Sequence, residues 1–477
     1  MSQPITSPTP PAVSTLAVQR STAHASLAAL GVSVRHVDLF GPIHAGVHIA
    51  QKTVRYAPTD KLYDAFIALL AGAHGLVEIN GRLRPDRALQ AAFGRIGCAE
   101  QSVVQDTLDA CTQETVPQLE AALDAIYRQQ SQGYRHDYAQ QWQILDVDMS
   151  GLPCGRKAAL ATPGYFAKQR NRRGRQLGRV LATRYHEIVV DRLFDGKTQL
   201  VTALLPLVLA AEQTLELDEV QRQRTLVRVD AGAGSVSDIN WLLFRGYHVL
   251  AKDYSTKRAS SLAAQVTEWF LDPHDPQRQV GLVPVPADEY HAGLHRRLVT
   301  RVAVRCRLAT GQWGVGVVIC TLPPTEALAL AGQDPSHDAP LATDARAIAL
   351  AYVALYDQRG GGVETTFKED KQGLGLTKRS KKRFAAQQVL VALGSLAHNV
   401  LVWAKRWLHA NLPGIARFGV KRLVRDVFGI GGRVELDADG HVTRIVLNQA
   451  NRTARWLLTA LQALVSSADV AVSLGET

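Results

Sequence analysis

The chain has 477 residues, 46% of them hydrophobic, enough for a sizeable core spread over roughly two to four structural units. Its net charge of +11 and pI near 9.5 suit a polyanionic partner, most simply nucleic acid. The five cysteines (98, 111, 154, 306 and 320) are scattered without a CxxC pair, which argues against a disulfide scaffold or a paired-cysteine zinc site and fits a reducing compartment.

Residues 1–25 are rich in Pro, Ser and Thr and are expected to be a disordered tail, with neither the basic start nor the apolar core of a secretory signal. Residues 26–135 read as a mostly helical N-terminal DNA-binding domain, from the apolar periods of YDAFIALLAGAHGLVEI and LEAALDAIYRQQ. The glycine turn at Gly97, followed by Gln101, Ser102 and an amphipathic stretch, fits either a helix-turn-helix or a plain helical bundle.

Strands and helices then alternate over residues 136–254, which argues for an α/β core. The strand Trp142–Asp148 is expected to end at a Ser150-Gly151 turn. A basic segment from Lys168 to Arg184 contains no acid. YHEIVVDRLFDGKTQL reads as strand and turn, TALLPLVLAAEQTLE as helix, LVRVDAGAGS as a strand with a glycine turn, SVSDINWLLFRGY as helix and HVLAKDYS as strand. The apolar run LVTALLPLVLAA (200–211) is too short to span a bilayer, so a cytoplasmic protein is expected.

Residues 255–342 carry β-branched alternation in VGLVPVP, RRLVTRVAVRCRL and WGVGVVICTLP and read as a β-rich insertion. Residues 343–410 return to the core through ARAIALAYVALYDQ, a triple-glycine break, and the long helix FAAQQVLVALGSLAHNVLVWAKRWL. Residues 411–477 form a small C-terminal region, a hairpin around Asp439-Gly440 and a closing helix.

Acids stand where this pattern can gather them. Asp146 and Asp148 share one face of a strand near its end, because side chains alternate with period two. Asp230 ends a second apolar strand, and Glu364 opens a helix that places Lys368 and Lys371 on its own face at i+4 and i+7. Carboxylates at the C-terminal ends of neighbouring strands can converge in one crevice. Such a set suits two Mg²⁺ ions, which stabilise both the attacking and the leaving oxygen of a phosphoryl displacement.

The stretch Tyr356-Asp-Gln-Arg359-Gly-Gly-Gly-Val-Glu364, with Lys371 seven residues beyond Glu364, resembles a motif of bacterial insertion-sequence transposases of the DDE type. In one large group of these enzymes the motif reads Tyr, two residues, Arg, three residues, Glu, six residues, Lys. Here four residues, Gly360 to Val363, separate Arg359 from Glu364. Asp148 followed by Met-Ser-Gly resembles the family's first Asp, and Asp230 in VRVDAGAGS its second.

The resemblance implies an RNase H-like core with the β-domain inserted in it. It implies Asp148, Asp230 and Glu364 as catalytic metal ligands, two Mg²⁺ ions with Mn²⁺ able to substitute, and contacts of Tyr356, Arg359 and Lys371 with DNA near the cut. It also implies metal-dependent cleavage and strand transfer on double-stranded DNA, at terminal inverted repeats and at target DNA, by a homodimer in a nucleoid setting. Lys368 and the basic residues Arg172, Arg173 and Arg175 are expected to bind phosphates without reading bases, as is Lys378–Arg383. Two alternatives stand beside this reading. VRVDAGAGS is close to the glycine turn of S-adenosylmethionine-dependent methyltransferases, and a transposase relic could bind DNA without turnover.

Overall fold

The computed structural model describes residues 18–52, 55–166, 169–333 and 343–476. Strand β1 (Val18–Thr22) leads into helix α1 (Ala25–His36). Thus the segment read as a tail is ordered from Val18 onward, and residues 1–17 lie outside the described residues. Helices α2 (Pro58–Leu70), α3 (Arg87–Ala92), α4 (Gln101–Ala110) and α5 (Thr115–Gln130) follow. Eight residues separate α3 from α4, where a helix-turn-helix uses three or four. Asp64 pins that loop by accepting from Ala99 N at 2.9 Å and Arg95 Nε at 2.9 Å. This is the connection of a helical bundle, not of a reading head.

The central sheet starts with β2 (Gln143–Pro153), which does not turn at Ser150-Gly151. It runs on because β4 (Gln169–Ala182) pairs with it as far as Pro153↔Gly174, and β3 (Thr162–Phe166) pairs in turn with β4. The basic segment is therefore a strand. Strand β5 (Glu187–Asp195) flanks β4, while β6 (Thr225–Val229) and β7 (His248–Lys252) run parallel to β2. The order β5-β4-β2-β6-β7, three antiparallel strands and then two parallel ones, is an RNase H-like core.

The insertion continues this sheet and does not stand apart from it. Strands β8 (Phe270–Asp272), β9 (Asp275–Leu282), β10 (Thr300–Arg307) and β11 (Trp313–Cys320) form a meander, and β11 pairs antiparallel with β7. That pairing covers what would otherwise be an open sheet edge.

Helices coat both faces. Helix α6 (Leu200–Leu215) packs on β4 and β5, and α7 (Thr256–Ala263) on β10 and β11. On the opposite face lie α8 (Ala345–Arg359), α9 (Thr365–Gly373) and α10 (Phe384–His409). α10 is long and apolar enough to cross a membrane, but 83% of its apolar window is buried against β5 and the N-terminal helices. Its hydrophobicity is spent on the core. The chain ends in β12 (Gly432–Leu436), β13 (Val442–Asn448), helix α11 (Arg452–Val465) and β14 (Ala471–Gly475). These strands take β1 into a four-stranded sheet of order β1-β12-β13-β14.

The triple glycine marks a kink. Gly362 leaves helical geometry, with φ −88° and ψ −111°, and so separates α8 from α9 within Gly360–Glu364. The residue by which this chain exceeds the family spacing lies at that kink.

Candidate active site

Parallel pairing of β2 with β6 ends at Val147↔Val229. Asp148 and Asp230 are the next residue on each strand, so the register places them side by side. Asp230 stays extended and accepts from Gly232 N at 2.8 Å, which fixes its carboxylate over the glycine turn. Asp148 accepts from Met149 N at 2.7 Å.

Glu364 stands just past the kink, at the start of α9, and is 60% exposed. Arg359 stands between the acids: its Nη2 lies 3.2 Å from Asp148 and its Nη1 3.7 Å from Glu364. The same guanidinium donates to Val147 O at 3.3 Å, and its buried Nε has no hydrogen-bond partner. Lys371, about two turns beyond Glu364 on α9, donates from Nζ to Ser150 Oγ on β2 at 2.6 Å. Tyr356 is half-buried at the rim.

The electrostatics follow from this packing. Burial pushes the Asp148 carboxyl up to about 6; the neighbouring Asp230 and Glu364 add to the rise, and Arg359 opposes it. Burial and the same three acids raise the Tyr356 phenol to about 12, so it stays neutral. Burial lowers the Lys371 ammonium, with Arg179 adding to the fall and Asp148 countering it. Three carboxylates face one guanidinium, an excess of negative charge that hard oxygen-seeking cations satisfy. The donor set suits divalent metal by its chemistry, although the ligand oxygens of Asp148, Asp230 and Glu364 do not all lie within 4.8 Å of one another.

Asp146 plays a different part. It is fully buried, its Oδ1 2.6 Å from Arg228 Nε and its Oδ2 2.9 Å from Arg228 Nη2, and it also accepts from Thr183 Oγ1 at 2.7 Å. Fully buried and holding three protein hydrogen bonds, it is a strut and not an open ligand.

Among the basic residues, Arg172 and Arg173 are exposed on β4, and Lys368 is exposed on α9. Arg175 is not available to DNA, contrary to the sequence-based expectation. It is 0% exposed, donates to the carbonyls of Ala159, Lys381 and Lys382 and to Gln387, and lies 5.2 Å over the Phe384 ring. Arg179 is likewise buried between Asp191 and Asp370. Period two could have revealed this, because Arg175 and Arg179 alternate with Leu177 and Leu181 on one strand face. Lys168 lies outside the described residues. In the run Lys378–Arg383, Arg379 is buried, while Lys381 and Arg383 bond to Gln105 and Asp109 O on α4.

The glycine turn after Asp230 offers no cofactor cradle. A Cβ on Gly234 would stand 1.8 Å from Lys252 O, so this glycine is consumed by packing against β7. Among the described residues, ligand atoms of three metal-type side chains come within 4.8 Å of one another at Asp437, Asp439 and His441. They belong to the β12–β13 turn, where Asp437 Oδ1 accepts from the N–H groups of Asp439 and His441.

An RNase H-like sheet with an aspartate within β2, a second just past the end of the neighbouring β6, and a glutamate at the start of the later helix α9 has the layout of a DDE-type nucleic-acid enzyme. A family model described as transposase DDE domain matches residues 140–400, more than half of the chain, and the chain belongs to that family. It is a transposase of the DDE class, an enzyme family that works with divalent metal ions. No curated protein matches the sequence. Among solved structures, the chain is similar to a piggyBac transposase in a synaptic complex with hairpin DNA, at 11% identity and a TM-score of 0.44, over 84% of this chain and 79% of that one.

Proposed function

We propose that Asp148, Asp230 and Glu364 form the catalytic metal site of a DNA transposase. The reaction is hydrolytic cleavage of a strand at the element's end, followed by attack of the freed 3′-hydroxyl on target DNA. In each step an oxygen–phosphorus bond forms as the opposing P–O3′ bond breaks. The observation that carries the reading is the register: Asp148 and Asp230 stand together one residue past Val147↔Val229, with Arg359 linking Asp148 to Glu364. Two Mg²⁺ ions, or Mn²⁺ in their place, would be held by these three carboxylates and would stabilise charge on the entering and leaving oxygens.

The chain's own cations take the substrate. Lys371 lies beside the acids and holds a phosphate flanking the cut as a point charge, while Arg359, only 4% exposed and bonded to Asp148 and Val147 O, meets DNA near the cut only where an acid gives it up to metal. Tyr356, neutral at the rim, stacks on a base next to the cleavage point. Lys368, Arg172 and Arg173 supply sequence-independent phosphate contacts. The substrates are terminal inverted repeats and target duplex, brought together by a homodimer.

The test is cleavage of a duplex carrying the element's end, in Mg²⁺ and in Mn²⁺. Glu364→Gln, Asp148→Asn and Asp230→Asn are each expected to abolish cleavage while keeping gel-shift affinity. Loss of binding in step with cleavage would make the acids structural. Binding without cleavage by the unaltered protein in either metal would mark a relic.

A further inference from the structure

One buried ion pair next to the site has no part in the chemistry described so far. Asp146 and Arg228 are register partners on β2 and β6, on the same sheet face as Asp148 and Asp230 and two residues before them. Both side chains are at most 1% exposed. Two nitrogens of Arg228 are spent on Asp146, at 2.6 and 2.9 Å. The third, Nη1, donates to Leu355 O at 2.7 Å. Leu355 lies on α8, one turn before Arg359 and immediately before Tyr356.

The same carboxylate also limits the approach of the helix further along. A Cβ on Gly362 would stand 2.5 Å from Asp146 Oδ2 and 3.0 Å from Thr183 Cγ2. Asp146 thus meets this segment at two levels: through Arg228 at Leu355 on α8, and by close approach at Gly362 in the kink that follows. Between those levels sits Arg359, and just past them Glu364.

A buried charge pair contributes little net stability over an apolar pair of the same shape, but losing one member is costly and its geometry is demanding. We infer that Asp146–Arg228 is a positioning pair. It sets the distance between the sheet that carries Asp148 and Asp230 and the helix that carries Glu364, and so makes the three carboxylates one metal site. The inference rests on the metal reading above.

Mn²⁺ binding to the full-length protein, followed by electron paramagnetic resonance well below the unfolding temperature, separates the two ideas. Arg228→Lys keeps the charge but cannot hold both Asp146 and Leu355 O; Asp146→Asn keeps the shape and removes the anchor. Each is expected to weaken Mn²⁺ affinity by about 10–100-fold, the range seen when groups that orient metal ligands are removed. The cleavage rate at saturating DNA should fall in parallel, with duplex affinity in Ca²⁺ unchanged. A lower melting temperature with wild-type Mn²⁺ affinity and rate would overturn the positioning role. Should Arg228→Lys fail to fold, the Asp146→Asn result decides on the same criteria. If the unaltered protein binds no Mn²⁺ that Glu364→Gln abolishes, the metal reading itself falls.

Discussion

Gly362 has its Cα turned toward the carboxylate of Asp146, so closely that a methyl group there would stand 2.5 Å from Oδ2. Cβ atoms do not approach oxygens to that distance; Asp146 is held by Arg228 and Thr183, and Gly362 sits at the kink between α8 and α9. Gly362→Ala should therefore force the helix and the sheet apart. The expected cost is roughly 1–3 kcal/mol in urea unfolding, typical of overpacking, together with reduced cleavage. Gly361, which has no atom near its would-be Cβ, is the control, and alanine there should change stability far less.

Asp148 should destabilise the metal-free protein at neutral pH. Its carboxyl is raised from 3.8 to about 6, chiefly by burial. A folded value above the unfolded one means that the fold favours the protonated acid, so the contribution is complete below about pH 4 and lost as pH rises through 6. Asp148→Asn should then melt higher than the unaltered protein at pH 7.5 in chelator and lose that advantage at pH 4. Equal melting temperatures at both values would disprove the burial argument.

Asp370 is the buried hinge of a second charge network. It lies 2.7 Å from Arg179 on β4 and 2.7 Å from His398 on α10. Burial alone would raise its carboxyl, but His398 and Arg179 together hold it down at about 2. Asp370→Ala leaves Arg179 with one carboxylate where it had two and should destabilise the protein by about 3–5 kcal/mol, measured by denaturant unfolding. A change under 1 kcal/mol would mean that the network is redundant.

Arg172 and Arg173 separate from Arg175 in a salt titration. Replacing the exposed pair by Ala should weaken binding to specific and random duplex alike and flatten the salt slope by up to about two units. Arg175→Ala should lower stability instead, because it removes a buried side chain that ties the Ala159, Lys381 and Lys382 carbonyls to Gln387 and packs over Phe384. Loss confined to one sequence on replacing the pair would mean that Arg172 or Arg173 reads bases.

Which of these features the sequence disclosed depends on how local their cause is. The acids at strand ends, and the Tyr356–Lys371 spacing, are local patterns and could be read directly. The form of the break at the glycines could not: an added residue in a helix can produce a kink, a break or a bulge, and the kink found has Gly362 packed against Asp146. The burial of Arg175 depends on Gln387 and the carbonyls of Lys381 and Lys382, some two hundred positions away. Arg228 did leave a trace, a charge two residues before Asp230 on an otherwise apolar strand, but its partners Asp146 and Leu355 O belong to other elements.

The small sheet that unites β1 with β12 has a consequence in time. Gln19 bonds Glu435 across 416 positions of chain. A nascent polypeptide must hold β1 without its neighbours while nearly everything else is synthesised, and contacts so distant in sequence form slowly. Until β12 emerges, β1 is therefore a strand without its sheet partner beside a catalytic core that has already been translated.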